Sequence, residues 1–376
     1  MSGLRITLSQ YWEKVQNTLF PYLEETLDSP LSERLLNCIA VLDMVRIERF
    51  VFDFRGCVGR PPKNRTAIAR AFIAKTVFDI STTKLLIDRL KSDRNLRRVC
   101  GFESSLQIPS ESAFSRAFQE FALTKLAAEA HQALIRTVYK NKIVQHVSKD
   151  STAIEGREKA VKKVKVVKEK KKKRAPKGCA ELTRIEKQAA GVMSLDEMIK
   201  DLPTACDVGQ KTSSTGHSYA WVGYKLHLSV DDHGIPLAAI LSSASMNDSQ
   251  AAIPLANLTA KYVTNLYDLM DSGYYANAII MHSEALGHVP IIDRAAKGEA
   301  QKKEKEAEKL ARQNLNWMPA EVMRYKTRTT IERVNARLKE EFGAFNIRVK
   351  GACKVFAHLM YGVLAQTADQ LLKLAT

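Results

Sequence analysis

At Asn141 the periodicity of the chain changes, and that change limits the folds open to it. Upstream, apolar residues recur at helical spacing. In residues 31–51 a stripe runs through Leu35, Leu36, Ile39, Leu42 and Val45, the pattern of an amphipathic helix. Pro61 and Pro62 interrupt it, because proline cannot continue a helix. Two more helices follow, with Thr66 and Ser81 as expected caps, and another begins after Pro109 and the serines Ser110 and Ser112. Residues 1–140 therefore read as all-helical.

Downstream, Ile143, Val144 and Val147 among polar neighbours predict a strand ending near Asp150. Two β-rich runs in residues 219–245 are joined by Asp231, Asp232, His233 and Gly234, a hairpin signal. A fourth strand leads to Asp271, a fifth covers residues 288–293, and helices separate them. The chain closes with an apolar helix over residues 354–375. The expected class is α/β, a mixed sheet flanked by helices and preceded by a helical region. The expected division is residues 1–140 and 141–376, with an insertion at about 155–205.

Charge narrows the function. The 376 residues carry 58 Lys+Arg against 41 Asp+Glu, a net charge of +17. Such an excess points to a polyanionic partner, most simply nucleic acid. No apolar run reaches the ~18 residues needed to span a bilayer, and the opening "MSGLRITLSQYWEKVQ" lacks the apolar core of a signal peptide. A cytoplasmic protein without a membrane role is expected. The six cysteines, Cys38, Cys57, Cys100, Cys179, Cys206 and Cys353, show no CxxC spacing, so neither a zinc site nor a redox pair is indicated. His217, His227, His282 and His288 have no metal-ligand spacing and read as structural. Trp12, Trp221 and Trp317 read as core or interface.

The basic residues are concentrated in places. Residues 159–177 hold eleven Lys/Arg, among them Lys171, Lys172, Lys173 and Arg174, and one acid, Glu169. Such a block either grips DNA by counterion release or is a solvated linker. "GRPPK", residues 59–63, is similar to a minor-groove arm, though a linker entering a helix explains it as well. Ser112, Ser115 and Arg116 stand where a recognition helix would meet DNA; a capped packing helix accounts for them equally.

Three acids stand at strand ends or on the later helix: Asp150, Asp271 and Glu332. Functional groups gather where adjacent strands of an α/β sheet end. Carboxylates brought together there repel unless a cation neutralises them. Hard divalent ions suit such all-oxygen sites, and two of them suit in-line phosphodiester displacement. A single Asp after a strand is more often a turn or cap residue. Asp268 competes with Asp271 and Glu155 with Asp150, and neutralising Asp268 is expected to be close to silent.

The stretch "RYKTRTTIERVNARLKEEFG", residues 324–343, reads as one charged helix. At about 100° per residue, Tyr325, Arg328 and Lys339 fall within an arc of roughly 60° around Glu332. A solvated face with an Arg328/Glu332 pair explains the charges but not Tyr325 and Lys339. Here "Y-x2-R-x3-E-x6-K" is complete, and it resembles the YREK signature of bacterial insertion-sequence transposases of the DDE class. "SKDST" resembles the segment carrying their first Asp and selects Asp150. "LMDSGYYA" resembles the one carrying the second and prefers Asp271 to Asp268. "GYKLHLSVDDHGIPLA", "NDSQ" and "GHVPIID" resemble the intervening strands and helix. "GRPPKNR" with "IPSESAFSRAF" resembles the helical DNA-binding region preceding this core.

The resemblance covers most of residues 60–375. It implies an RNase H-like core in which Asp150, Asp271 and Glu332 hold two Mg²⁺ ions, with Mn²⁺ as a substitute. It implies that Arg328 and Lys339 contact phosphates of the element's end and that Tyr325 places DNA near the cleavage site. The activity implied is cut-and-paste transposition: a homodimer binds the inverted repeats of double-stranded DNA, frees a 3′-hydroxyl and joins it to target DNA. It also implies a bacterial, nucleoid-associated setting. The Lys-rich insertion departs from the family's pattern. The rival readings are a decayed transposase that only binds DNA and an RNase H-like nuclease that only hydrolyses it.

Overall fold

The computed structural model describes residues 2–21, 31–53, 62–161, 182–212, 216–293, 298–314 and 318–375. Its first part comprises α1 (Ser2–Val15), α2 (Glu33–Val45), α3 (Arg65–Val77), α4 (Thr83–Ser92), α5 (Arg94–Cys100), α6 (Glu111–Leu123) and α7 (Leu126–Val138). Among the described residues no strand precedes Ile143. Two caps differ from expectation. Asn64 and Thr82, not Thr66 and Ser81, begin α3 and α4. Their side-chain oxygens accept from the N–H of Ala67 at 3.0 Å and of Leu85 at 3.1 Å, which satisfies amide groups left without helical partners.

The second part runs β1 (Ile143–Glu155), α8 (Arg184–Ala189), α9 (Leu195–Asp201), β2 (Asp207–Thr212), β3 (Ser218–Asp231), β4 (Pro236–Ser243), α10 (Ser249–Ala260), β5 (Thr264–Met270), α11 (Asn277–Ala285), β6 (Val289–Ile292), α12 (Glu299–Asn314), α13 (Ala320–Lys326), α14 (Thr329–Glu340) and α15 (Ala352–Ala375). The strands form one sheet in the order β2-β3-β1-β5-β6, with β4 also pairing β3. β1 is antiparallel to β3 and parallel to β5, and β6 is parallel to β5. This is an RNase H-like mixed sheet with helices on its faces. β2 was not expected. Nor does β1 end near Asp150: residues Ser151 to Glu155 go on pairing with His227 to Gly223 of β3.

The β3–β4 hairpin forms as its residues predict. Gly234 takes the left-handed φ of +76°, which costs glycine little. Asp231 Oδ1 accepts from the N–H of His233 at 3.0 Å and of Ile235 at 2.8 Å. Tyr139 donates its hydroxyl to Asp231 Oδ2 at 2.6 Å, tying α7 to the hairpin. At Gly223, which pairs with Glu155 of β1, any Cβ would collide with the Ile154 carbonyl oxygen.

One buried cluster runs from Leu8 to Leu372 across residue 140. The last helix, α15, packs against α1, α2, α3, α6, α7 and β4. Ser9 Oγ donates to the Ala375 carbonyl at 2.8 Å, and Asn37 Nδ2 donates to Asp369 at 3.4 Å. The helical part and the sheet are therefore joined through α15. The insertion carries α8 and α9, each opened by a capping box, Thr183 with Glu186 and Ser194 with Glu197. Among the described residues no helix is long and apolar enough to cross a membrane.

Candidate active site

Asp150 lies inside β1, the strand flanked by β3 and β5. Its neighbour Lys149 pairs in register with Met270, the last residue of β5. One step further along both parallel strands, Asp150 faces Asp271. Side chains alternate between the faces of a sheet, so Asp150 and Asp271 share one face, while Lys149, Asp268 and Met270 share the other. Asp271 opens a short 3₁₀ turn, Ser272–Tyr274, and its Oδ1 accepts from the Gly273 N–H at 3.0 Å.

The third acid comes from α14. Ile331, Val334 and Leu338 are buried, and this stripe lays α14 over β1 and β3. The charged side of the helix is thereby turned to the rim of the Asp150 face. Residues 324–343 do not form the single helix expected. Thr327 and Arg328 interrupt it, with i→i+3 bonds from Thr327 N to Arg324 O at 3.1 Å and from Arg328 N to Tyr325 O at 3.0 Å. The Thr327 hydroxyl also donates to the Arg324 carbonyl at 2.7 Å; such back-bonding bends helices. The constant 100° step therefore does not run from Tyr325 to Glu332. α14 also ends at Glu340, short of Gly343, which takes a φ of +80°.

Arg328, at this break, draws the acids together. Its Nη1 is 2.7 Å from Glu332 Oε1, and its Nη2 lies 3.8 Å from Asp271 Oδ2 and 4.0 Å from Asp150 Oδ1. Asn335 Nδ2 approaches the other Asp150 oxygen at 3.5 Å. Asp150 is nearly buried, and burial pushes its carboxyl up to about 6, with Arg328 the largest opposing influence. The Tyr325 ring centroid lies 6.0 Å from the Arg328 guanidinium, and burial raises the Tyr325 phenol. Lys339 is half-buried beside Lys211 and Glu155; burial lowers its pKa, Lys211 lowers it further and Glu155 opposes both.

Other residues singled out in the sequence lie elsewhere. Arg116 sits on the exposed side of α6, its Nε donating to the Ser112 carbonyl at 3.3 Å. Lys171, Lys172, Lys173 and Arg174 fall outside the described residues, as do residues 59–61 of "GRPPK". Asp268 is wholly buried, its Oδ1 2.9 Å from Lys149 Nζ and its Oδ2 3.2 Å from His288 Nδ1. Asn265 Nδ2 adds a further bond to Oδ1 at 3.1 Å. Burial works to raise the Asp268 carboxyl, but Lys149 and His288 outweigh it and hold the group well below the usual range.

Two groups at the site went unread in the sequence. Lys211 on β2 places its charge near Asp150 and Lys339; β2 itself had gone unpredicted. Tyr274 is completely buried, and its hydroxyl has no hydrogen-bond partner. Arg328 Nε and Asn335 Oδ1 are likewise buried without partners. The "GYY" following Asp271 was visible, but nothing in a sequence marks a buried oxygen as unsatisfied.

A family profile described as a transposase DDE domain matches residues 150–367, more than half the chain. A second, described as a transposase domain (DUF772), matches residues 23–120. The chain belongs to the DDE transposase family. It is thus an enzyme of the class that cuts and joins DNA, and members of this class generally work with divalent metal ions. Comparison with curated proteins and with solved structures returned no match.

Proposed function

We propose that this chain mobilises its own insertion sequence, binding the inverted repeats, cleaving at the element's ends and joining the freed 3′ ends to target DNA. The observation that supports this most is the convergence of Asp150, Asp271 and Glu332, from three separate elements, on the Arg328 guanidinium. The net charge of +17 supports a DNA partner. On this reading residues 1–140 grip the repeats, residues 141–376 perform the chemistry, and two copies act on paired ends.

The donor set fits a hard divalent cation such as Mg²⁺, with Mn²⁺ in substitution, because every candidate ligand is an oxygen. The surroundings fit as well, since Arg328 already balances the acids with positive charge, and its Nε and Asn335 Oδ1 are buried without partners. Among the described residues no three acids stand close enough together to hold one ion as they are; Arg328 stands among them. Asp150, Asp271 and Glu332 would hold the ions, which neutralise charge on the attacking and leaving oxygens.

The chain's own groups then have distinct tasks. Arg328, released from the acids, offers its planar fork to a phosphate of the DNA end. Lys339 and Lys211 supply charge to the backbone on the same side, and Tyr325 supports the neighbouring nucleotide. These contacts position the scissile phosphate and carry no sequence information. The test is incubation of purified protein with labelled repeat ends, target DNA and Mg²⁺ or Mn²⁺. Joined products support the reading. Hydrolysis without joining favours the nuclease, and binding without cleavage the decayed relative.

A further inference from the structure

We infer that Arg324 is a positioning residue for the acid site: held by Tyr267 and His146, it pins α13 to the sheet and so sets the helix break from which Arg328 reaches the three acids. The inference rests on the reading of Asp150, Asp271 and Glu332 as metal ligands.

α13 needs such a pin. It buries none of its seven residues, whereas α14 is held down by Ile331, Val334 and Leu338. The contacts of Arg324 supply the hold. Its guanidinium carbon lies 4.2 Å from the Tyr267 ring centroid, well within cation–π range, and its Nη1 lies 3.3 Å from His146 Nε2. An arginine only donates, so Nε2 accepts and the ring proton sits on Nδ1. Nδ1 donates it to Asp232 Oδ1 at 2.9 Å, and Asp232 Oδ2 accepts from the His146 backbone N–H at 3.1 Å. His146 and Tyr267 pair in register on β1 and β5, and their rings stack with centroids 5.2 Å apart. The receptacle for Arg324 is therefore built from two strands and the β3–β4 hairpin, with a buried histidine fixed in one tautomer.

This receptacle lies on the face that carries the acids. His146 stands four residues before Asp150 and Tyr267 four before Asp271, so alternation keeps all four on one side of the sheet. Arg324 joins the receptacle to the helix break. Its side chain is fixed to the sheet, and its carbonyl accepts from the Thr327 N–H at 3.1 Å and the Thr327 hydroxyl at 2.7 Å. Arg328 is the next residue, and its guanidinium meets the three acids. A merely solvated arginine would not explain a buried imidazole whose lone pair is turned to it.

The experiment compares wild type with Arg324→Ala, His146→Phe, Arg328→Ala, the double variant Arg324→Ala/Arg328→Ala, Asp150→Asn and Asp271→Asn in the full chain. Mn²⁺ binding is measured by electron paramagnetic resonance without DNA, alongside thermal melting and cleavage of end DNA. Without its pin Arg328 spends less time on the acids, while the buried stripe of α14 keeps Glu332 in place. Arg324→Ala should therefore bind Mn²⁺ about threefold more tightly, the scale of one lost cation–π contact, and lose about tenfold in kcat through a misplaced phosphate contact. His146→Phe should change both in the same direction. The gain in Mn²⁺ affinity should vanish in the double variant relative to Arg328→Ala, because Arg324 acts through Arg328. A residue that only stabilises the fold has no reason to tighten metal binding. Unaltered or weakened Mn²⁺ binding in Arg324→Ala overturns the inference, as does a gain that persists without Arg328; if Arg324→Ala does not fold, His146→Phe decides by the same criterion. Should Asp150→Asn and Asp271→Asn bind Mn²⁺ as wild type does, the acid-site reading itself fails. Should they lose Mn²⁺ while Arg324→Ala binds it as wild type does, only the role of Arg324 falls.

Discussion

The two faces of β1 treat charge in opposite ways. On one, Lys149 meets Asp268 at 2.9 Å, with His288 and Asn265 completing the carboxylate's bonds. On the other, one residue along, Asp150 has the Ser151 backbone N–H, a guanidinium at 4.0 Å and an amide at 3.5 Å, while Arg328 Nε and Asn335 Oδ1 on those same groups have no partner. The carboxyl pKa values follow: Asp268 is held well below the usual range, whereas Asp150 is pushed up to about 6. A closed charge network stabilises a fold. An open one is paid for by the fold and has room for a ligand. Buried charge alone therefore does not mark a site; the unused bonding capacity around it does.

The strongest way to break this comparison is to neutralise each acid in turn. Asp150→Asn, Asp271→Asn and Glu332→Gln should each reduce DNA cleavage to background while end binding persists. Asp150→Asn should also leave the metal-free protein as stable as wild type or more so, because a carboxyl pushed up by burial is strained as an anion. Cleavage assays and melting curves on the same preparations test both. Retained cleavage in any one removes that residue from the site, and a large fall in the melting temperature of Asp150→Asn would end the contrast between the faces.

Asp268→Asn should do the reverse of silence. It leaves the Lys149 ammonium, only 2% exposed, without its counter-charge. Breaking a buried pair by removing one partner costs about 3–5 kcal/mol. Urea unfolding should show that loss, with cleavage failing only because the protein unfolds. A variant as stable as wild type would show that the pair does not hold β1 to β5.

The expectation of silence at Asp268, set against its buried pair with Lys149, shows how far the sequence could be read. Alternation along β5 separates Asp268 from Asp271 by face, but only once the strand's end is known, and the partner that occupies Asp268 is Lys149 on another strand. The hairpin through Gly234 and the helical run before Asn141 were legible because their signals are local. β2 was not: "DVGQKT" has no apolar alternation, and its strand pairs in register with Ser218 to Gly223 of β3. Thr327 looked like one more helical residue, and its hydroxyl's bond to the Arg324 carbonyl decided otherwise.

Arg328 offers a smaller, sharper test. In the open network it and a divalent ion compete for the same oxygens. Arg328→Ala should bind Mn²⁺ several-fold more tightly without DNA and bind end DNA less well. Metal and DNA are then linked through one side chain, and by reciprocity each raises the affinity for the other in wild type only. Mn²⁺ titrations with and without end DNA measure that coupling. If it survives in Arg328→Ala, the guanidinium is not the link.

The smallest effect belongs to Glu341, which separates a site residue from its charged surroundings. Glu332 and Glu341 both follow an arginine by four residues: Arg328 Nη1 meets Glu332 at 2.7 Å, and Arg337 Nη2 meets Glu341 at 2.8 Å. The side chains are similarly exposed, at 58% and 49%. What differs is where each arginine leads. Arg328 goes on to Asp150 and Asp271, whereas Arg337 goes on to Asp369 of α15, at 2.7 Å, in the helical packing. Arg337 keeps Asp369 when Glu341 is neutralised, and an exposed pair contributes at most about 1 kcal/mol. Glu341→Gln should therefore lower the melting temperature slightly and leave cleavage within about twofold of wild type, since surface changes away from special features seldom exceed 0.5 kcal/mol. Side-by-side cleavage by Glu332→Gln and Glu341→Gln at fixed salt and Mg²⁺ decides it. Equal damage would mean that α14 is only a charged surface and that the convergence on Arg328 has no catalytic meaning.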